Sequence, residues 1–387
     1  KGIKFKGSAI QKLVYVVGLS LTLSYLLGIL LVTLHLYFQS TLLIIFLLEV
    51  AGLFWVHKGS FSQTVFYNLH SSWQKTVAVL QELVSSWKDA DTFASLVKTA
   101  ISFIFFILSL TLLWWSIKLM NHYAGTIFDV WDTVVSWNKW AMSWAAGTMP
   151  ISTRNYPQLL PVNYSLSYVF MGSTDIQFFA KFLVLPMAFL ILLMPFELGV
   201  QTKKTGFFLA VVFVYLLLKK FLIAELTSGY VDGVMAFFSL LTIYNLIKLG
   251  DAEDEGQKKQ LVILGAVFAG SAAIVKQPGV YLFLLYPIWL YFGVLKQGLF
   301  KDFWNEKRLL LTSLAVSVFL ALPWYILKQI FFILDIDRPE VGDLIEISAN
   351  NNYNVGWFQQ IIDTISGFEI YLILFPVIIL AFFALKP

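Results

Sequence analysis

The sequence has no cysteine, so neither a disulfide nor a thiolate zinc site can be part of the molecule. Charge is scarce: Asp, Glu, Lys and Arg make up 13% of the residues, against about 25% in a soluble domain. No His/Glu/Asp cluster has zinc spacing, and only four histidines are present. There is no G-x-S-x-G and no P-loop, so serine-hydrolase and nucleotide chemistry have no footing. The strict apolar–polar alternation of barrel strands is missing. So is any repeat of fixed period or low-complexity tract. The net charge of +4 is small; membrane topology explains it better than a nucleic-acid partner does.

What remains is apolar. Hydrophobic residues form 59% of the chain and the mean hydropathy is +0.77. Several apolar runs exceed the ~20 residues that cross a bilayer. In hydrocarbon every backbone amide needs an internal partner, and helices supply it. The expectation is therefore an all-α, polytopic bundle of about ten spans, at 11–35, 41–56, 96–120, 178–197, 207–224, 233–249, 261–275, 280–295, 309–330 and 365–384. The first run is too long for a cleavable signal segment. The chain begins at Lys1 without methionine and stops just past an apolar run, which fits a piece of a longer protein.

Placing the amino terminus (KGIKFKG) in the cytoplasm puts about two-thirds of the 27 basic residues on that side, as the positive-inside rule asks. With ten spans both termini are then cytoplasmic in a multi-pass cell-membrane protein, read as one domain over residues 1–387. Residues 57–97 (SSWQKTVAVLQELVSSWKDADTF within them) read as an amphipathic segment on the inner membrane surface. Residues 121–177 and 331–364 become long extracytoplasmic loops.

The polar chemistry gathers in those outer segments. Asp129 and Asp132 stand three apart and share a face if the first loop opens with a short helix. Trp137, Trp140 and Trp144 follow at helical spacing, which reads as a helix lying in the outer interface. A tryptophan belt with two solvated acids is the plainer alternative. At the next tip, AELTSGYVDGVMAFF, Glu225 and Asp232 flank Tyr230; Asp232 fits a helix-start acid equally well. Lys219 and Lys220, near the outer end of a span, either snorkel to headgroups or send one ammonium inward as an anion site. Lys276, at a Pro-Gly turn, fits a snorkelling lysine or a phosphate ligand. Arg338 lies in the asparagine-rich last loop. Acids suit base chemistry on a hydroxyl, and cations suit a phosphate leaving group.

In order, WDTVVSWNKWA, NYPQLLP, GYVDGVMAFF, VKQPGVYLFLL and LPWYI resemble bacterial integral-membrane glycosyltransferases of the GT-C superfamily, those related to the protein mannosyltransferase and aminoarabinose transferase families. The resemblance runs from Phe128 to Tyr325. It departs from the family pattern at Gln277-Pro278 after the motif lysine, and in having two extra spans before the large loop. It implies a GT-C-like fold and a polyprenyl-phosphate-linked sugar as donor. The acceptor is a hydroxyl on a lipid, glycan or protein, and the anomeric centre inverts. By position it makes Asp132 the loop aspartate and general base, with Asp129 as fallback, Asp232 the second aspartate and Lys276 the motif lysine. Lys219, Lys220, Arg154 and Arg338 then join Lys276 on the donor phosphate. Trp137, Asn138, Tyr156 and Tyr230 are assigned to sugar or acceptor. The scheme requires no metal, although two acids could hold Mg²⁺ or Mn²⁺. A transporter or flippase for a lipid-linked or anionic solute is the first rival reading, and a non-catalytic scaffold the second.

Overall fold

Long apolar runs with capped ends dictate helices, and every element among the described residues is helical. The structure, a computed structural model, describes residues 7–57, 61–150, 153, 156–252, 254–292 and 303–333. Its helices are α1 (Ala9–Thr33), α2 (Gln39–His57), α3 (Phe61–Lys88), α4 (Phe93–Tyr123), α5 (Lys139–Ala145), α6 (Leu159–Met171), α7 (Phe178–Phe182), α8 (Met187–Thr202), α9 (Thr205–Leu217), α10 (Ile223–Ser228), α11 (Asp232–Gly250), α12 (Glu255–Val275), α13 (Val280–Leu290) and α14 (Phe303–Ile333). π-helical turns at Thr133–Asn138 and Leu218–Leu222 interrupt the regular winding, and a 3₁₀ turn covers Gln277–Gly279.

Caps set several starts. The Ser8 hydroxyl accepts from the Gln11 amide at 2.9 Å and opens α1. Thr92 and Ser95 form a reciprocal capping box before α4. The Asp254 carboxylate accepts from the Gln257 amide at 3.1 Å and opens α12.

Among the described residues seven stretches are long and apolar enough to cross a membrane: Ala9–Thr33, Phe93–Tyr123, Phe178–Thr202, Thr205–Ser228, Asp232–Gly250, Glu255–Val275 and Lys307–Ile326. This is a multi-pass membrane protein by length and composition of its helices. The expected span at 41–56 falls on α2, whose apolar stretch, Gln39–Trp55, is shorter than the others. The one at 280–295 falls on α13, which has 11 residues. The span expected at 365–384 and residues 334–364 of the last loop lie outside the described residues.

α8 forms the centre of the bundle, packed on α1, α4, α9 and α11; α12 continues the layer between α11 and α14. Small residues let the backbones approach. A β-carbon at Gly18 of α1 would stand 2.7 Å from Leu241 of α11. α3 lies against α1, α4 and α8. It buries Val79 and exposes Trp73 and Trp87, as an amphipathic helix should.

The segment 121–177 departs from its expected form. Its second half packs into the protein as α6, against α1 and α5. Burying such a polar helix requires partners for its side chains, and they are present. The Asn163 amide donates to the carbonyls of Leu21 at 2.9 Å and Leu159 at 2.7 Å. Tyr164 donates to the Gly229 carbonyl at 2.8 Å, and the Ser165 and Tyr37 hydroxyls bond at 2.7 Å. The tryptophan face also points inward: Trp137, Trp140 and Trp144 are all buried. The Trp144 indole donates to Gln158 at 3.1 Å. The headgroup-belt expectation fails because a core face and a belt share the same spacing.

Candidate functional site

α11 and α12 run antiparallel side by side, so the start of one meets the end of the other. Asp232 opens α11 and Lys276 closes α12. The Lys276 ammonium sits 2.7 Å from the Asp232 carboxylate, and both side chains are about a quarter exposed or less. The 3₁₀ turn fixes the lysine: Gly279 donates its amide to the Lys276 carbonyl at 2.9 Å. A β-carbon on Gly279 would stand 1.9 Å from the Ala272 carbonyl oxygen, so the turn closes directly on the α12 backbone.

Two more acids reach the same place through Tyr230. Its hydroxyl is pushed above the ordinary tyrosine range, first by desolvation and then by the carboxylates of Asp132, Glu225 and Asp232. That ordering places Asp132, from a loop a hundred residues earlier, in the electrostatic neighbourhood of the α11 start. Gly229, just before Tyr230, takes φ +95° with the Phe128 ring packed where its β-carbon would be. A left-handed glycine thus joins the two loops. Asp132 is half-buried at the lip of the first π-helical turn, a feature often found at functional sites. Its carboxylate accepts from the Ser136 hydroxyl at 2.9 Å.

The other expected residues divide. Asp129 lies in extended chain before the helix and shares no helical face with Asp132. It is held instead by Lys181 of α7, at 3.2 Å. Trp137 and Asn138 are buried rather than exposed to a ligand-sized space; Asn138 accepts from the Tyr168 hydroxyl. The Trp137 indole N–H is buried with no hydrogen-bond partner among the described residues. Tyr156 packs against Trp137 and Trp140, with ring centroids 5.3 and 5.9 Å away. Lys219 and Lys220 fall on the second π-helical turn, and both are exposed. Of the two readings left open for them, the structure fits the one with both lysines at the protein surface. Arg154 and Arg338 lie outside the described residues.

Three residues with strong interactions were not singled out from the sequence. Lys181 is buried and donates to the Ile127 carbonyl at 2.5 Å as well as to Asp129. Glu197 of α8 and Lys248 of α11 form a buried pair at 3.0 Å, at the opposite end of α11 from Asp232. The available signal was ionisable residues inside apolar spans, which default to a functional or structural site. Among the described residues no group of three or more His, Asp or Glu could hold a metal ion. No family model, no curated protein and no solved structure matches the chain.

Proposed function

We propose that this protein is a membrane glycosyltransferase that moves a sugar from a polyprenyl-phosphate carrier to an acceptor hydroxyl on the extracytoplasmic face. The observation that carries the reading is the Lys276–Asp232 pair where the start of α11 meets the end of α12, with Tyr230 nearby under the influence of the Asp132 and Asp232 carboxylates. The order of motifs from WDTVVSWNKWA to LPWYI supports it independently.

In this scheme the acceptor oxygen attacks the anomeric carbon while the bond to the carrier phosphate breaks on the opposite side. Asp132, which accepts from the Ser136 hydroxyl, takes the acceptor proton. Lys276 exchanges part of its pairing with Asp232 for the departing phosphate oxygen, a charge-assisted contact. Asp232 holds the ammonium in position between turnovers. Tyr156, half-buried, offers a stacking surface on the acceptor side, backed by the buried Trp137 and Trp140 rings. No step needs a metal.

The test is transfer of radiolabelled sugar from a polyprenyl-phosphate donor by protein in proteoliposomes. Lys276→Ala should abolish transfer while leaving the far end of the bundle folded. The buried Glu197–Lys248 pair favours a second reading, a transporter of an anionic solute. Counterflow of substrate without chemical change would support that reading and remove the first.

A further inference from the structure

At the far end of α11 the fold leaves a partly open polar chamber of about 720 Å³, within the range of small-molecule sites. Its distance from Lys276 follows from the helix. Asp232 and Lys248 are 16 residues apart along α11, about 24 Å at 1.5 Å per residue. Five elements build its wall: the starts of α1 and α12, the ends of α8 and α11, and the middle of α3, which crosses it with Ser71 and Lys75.

The charged residues lining the chamber are Lys75, Lys203, Lys248 and Asp251, three cations to one acid. The counter-acids stand behind the lining. Glu197 holds the Lys248 ammonium at 3.0 Å, and Glu82 holds that of Lys203 at 2.5 Å. Each lysine offers three N–H donors. The observed bonds use two at Lys248, to Glu197 and Gln201, and one at Lys203. Lys248 is held rigidly, being 93% buried. The chamber therefore presents one fixed ammonium, Lys248, and two exposed ones, Lys75 and Lys203, against a single lining carboxylate, Asp251.

We propose that this chamber binds a phosphate-bearing ligand, either a lipid headgroup or a soluble phosphate compound. The site is separate from the Lys276–Asp232 pair and does not depend on the glycosyltransferase reading.

The full chain in phosphatidylcholine nanodiscs is titrated with inorganic phosphate and, in a second arm, with a short-chain phosphatidic acid, following thermal unfolding by tryptophan fluorescence. One or both probes should raise Tm. Lys75→Gln/Lys203→Gln should weaken the apparent affinity at least about tenfold, the loss of two charge-assisted contacts. Both side chains are exposed, so the variant keeps its fold; Lys75→Gln alone gives the same direction at smaller size. A response to inorganic phosphate assigns a soluble source, and a response to phosphatidic acid alone a lipid one. Both titrations are repeated in the Lys276→Ala background, which removes any phosphate bound at the Lys276–Asp232 pair and keeps the outcome distinct from that of the transfer assay. Absence of any response, or an undiminished response in the double variant, overturns the proposal.

Discussion

Lys248→Met isolates the buried charge pair. Glu197 is 2% exposed and Lys248 7% exposed, and the carboxylate has four donors around it. Ser8 donates at 2.6 Å, Tyr244 at 2.8 Å, Gln201 makes a short contact, and the Lys248 ammonium stands at 3.0 Å. The substitution keeps the aliphatic volume and the three neutral donors and removes the one cation that contacts Glu197 among the described residues. Gln201 also loses the donor to its carbonyl oxygen. Breaking a buried pair from one side costs about 3–5 kcal/mol, because the remaining charge has no compensation. The double variant Glu197→Gln/Lys248→Met removes both charges and should recover most of that loss. Reversible unfolding in mixed micelles, read as a double-mutant cycle, measures the coupling. A Lys248→Met cost below about 1 kcal/mol, or a double variant no more stable than the single one, would refute the assignment of this pair as the clasp joining α1, α8 and α11.

Two further outcomes follow from the opposite end of the bundle. Lys181→Met removes the ammonium's bond to the part-buried Ile127 carbonyl, a loss of about 1 kcal/mol, whereas the contact to exposed Asp129 contributes little. Limited proteolysis should therefore cut the chain near residues 127–132 faster than in the parent protein. Tyr230 should ionise above the ordinary tyrosine range, read as the 295 nm absorbance difference between the parent and Tyr230→Phe. Its raised affinity for the proton contributes stability that is present below the unfolded tyrosine pKa and lost as pH rises through the folded one. Asp132→Asn should move the Tyr230 titration downward, since Asp132 is the first of the three carboxylates acting on it.

The helical class and the positions of the long spans are legible in the sequence because hydropathy over some twenty residues is a local signal. The first span, read at 11–35, emerges as α1 over Ala9–Thr33, and that at 96–120 as the longer α4. The neighbourhood of Asp132, Asp232 and Lys276 was legible only as three polar tips expected on one face. α6 was not legible. Asn163, Tyr164 and Ser165 read as loop residues, and what buries them is a set of partners at Leu21, Gly229 and Tyr37, remote in sequence. The inward tryptophans were misread for a related reason: spacing defines a face but not which way it turns. Glu197 and Lys248 sat at the ends of expected spans, where a charge passes for a terminal residue until the neighbouring helix is placed beside it.

The most direct measurement is single-turnover sugar transfer from a polyprenyl-phosphate donor by Asp132→Asn, with Asp129→Asn alongside. If Asp132 is the base, its variant should lose about 10²–10⁴ in rate while Asp129→Asn, whose carboxylate is engaged by Lys181, retains most of its activity. Full transfer by a folded Asp132→Asn protein would contradict the account.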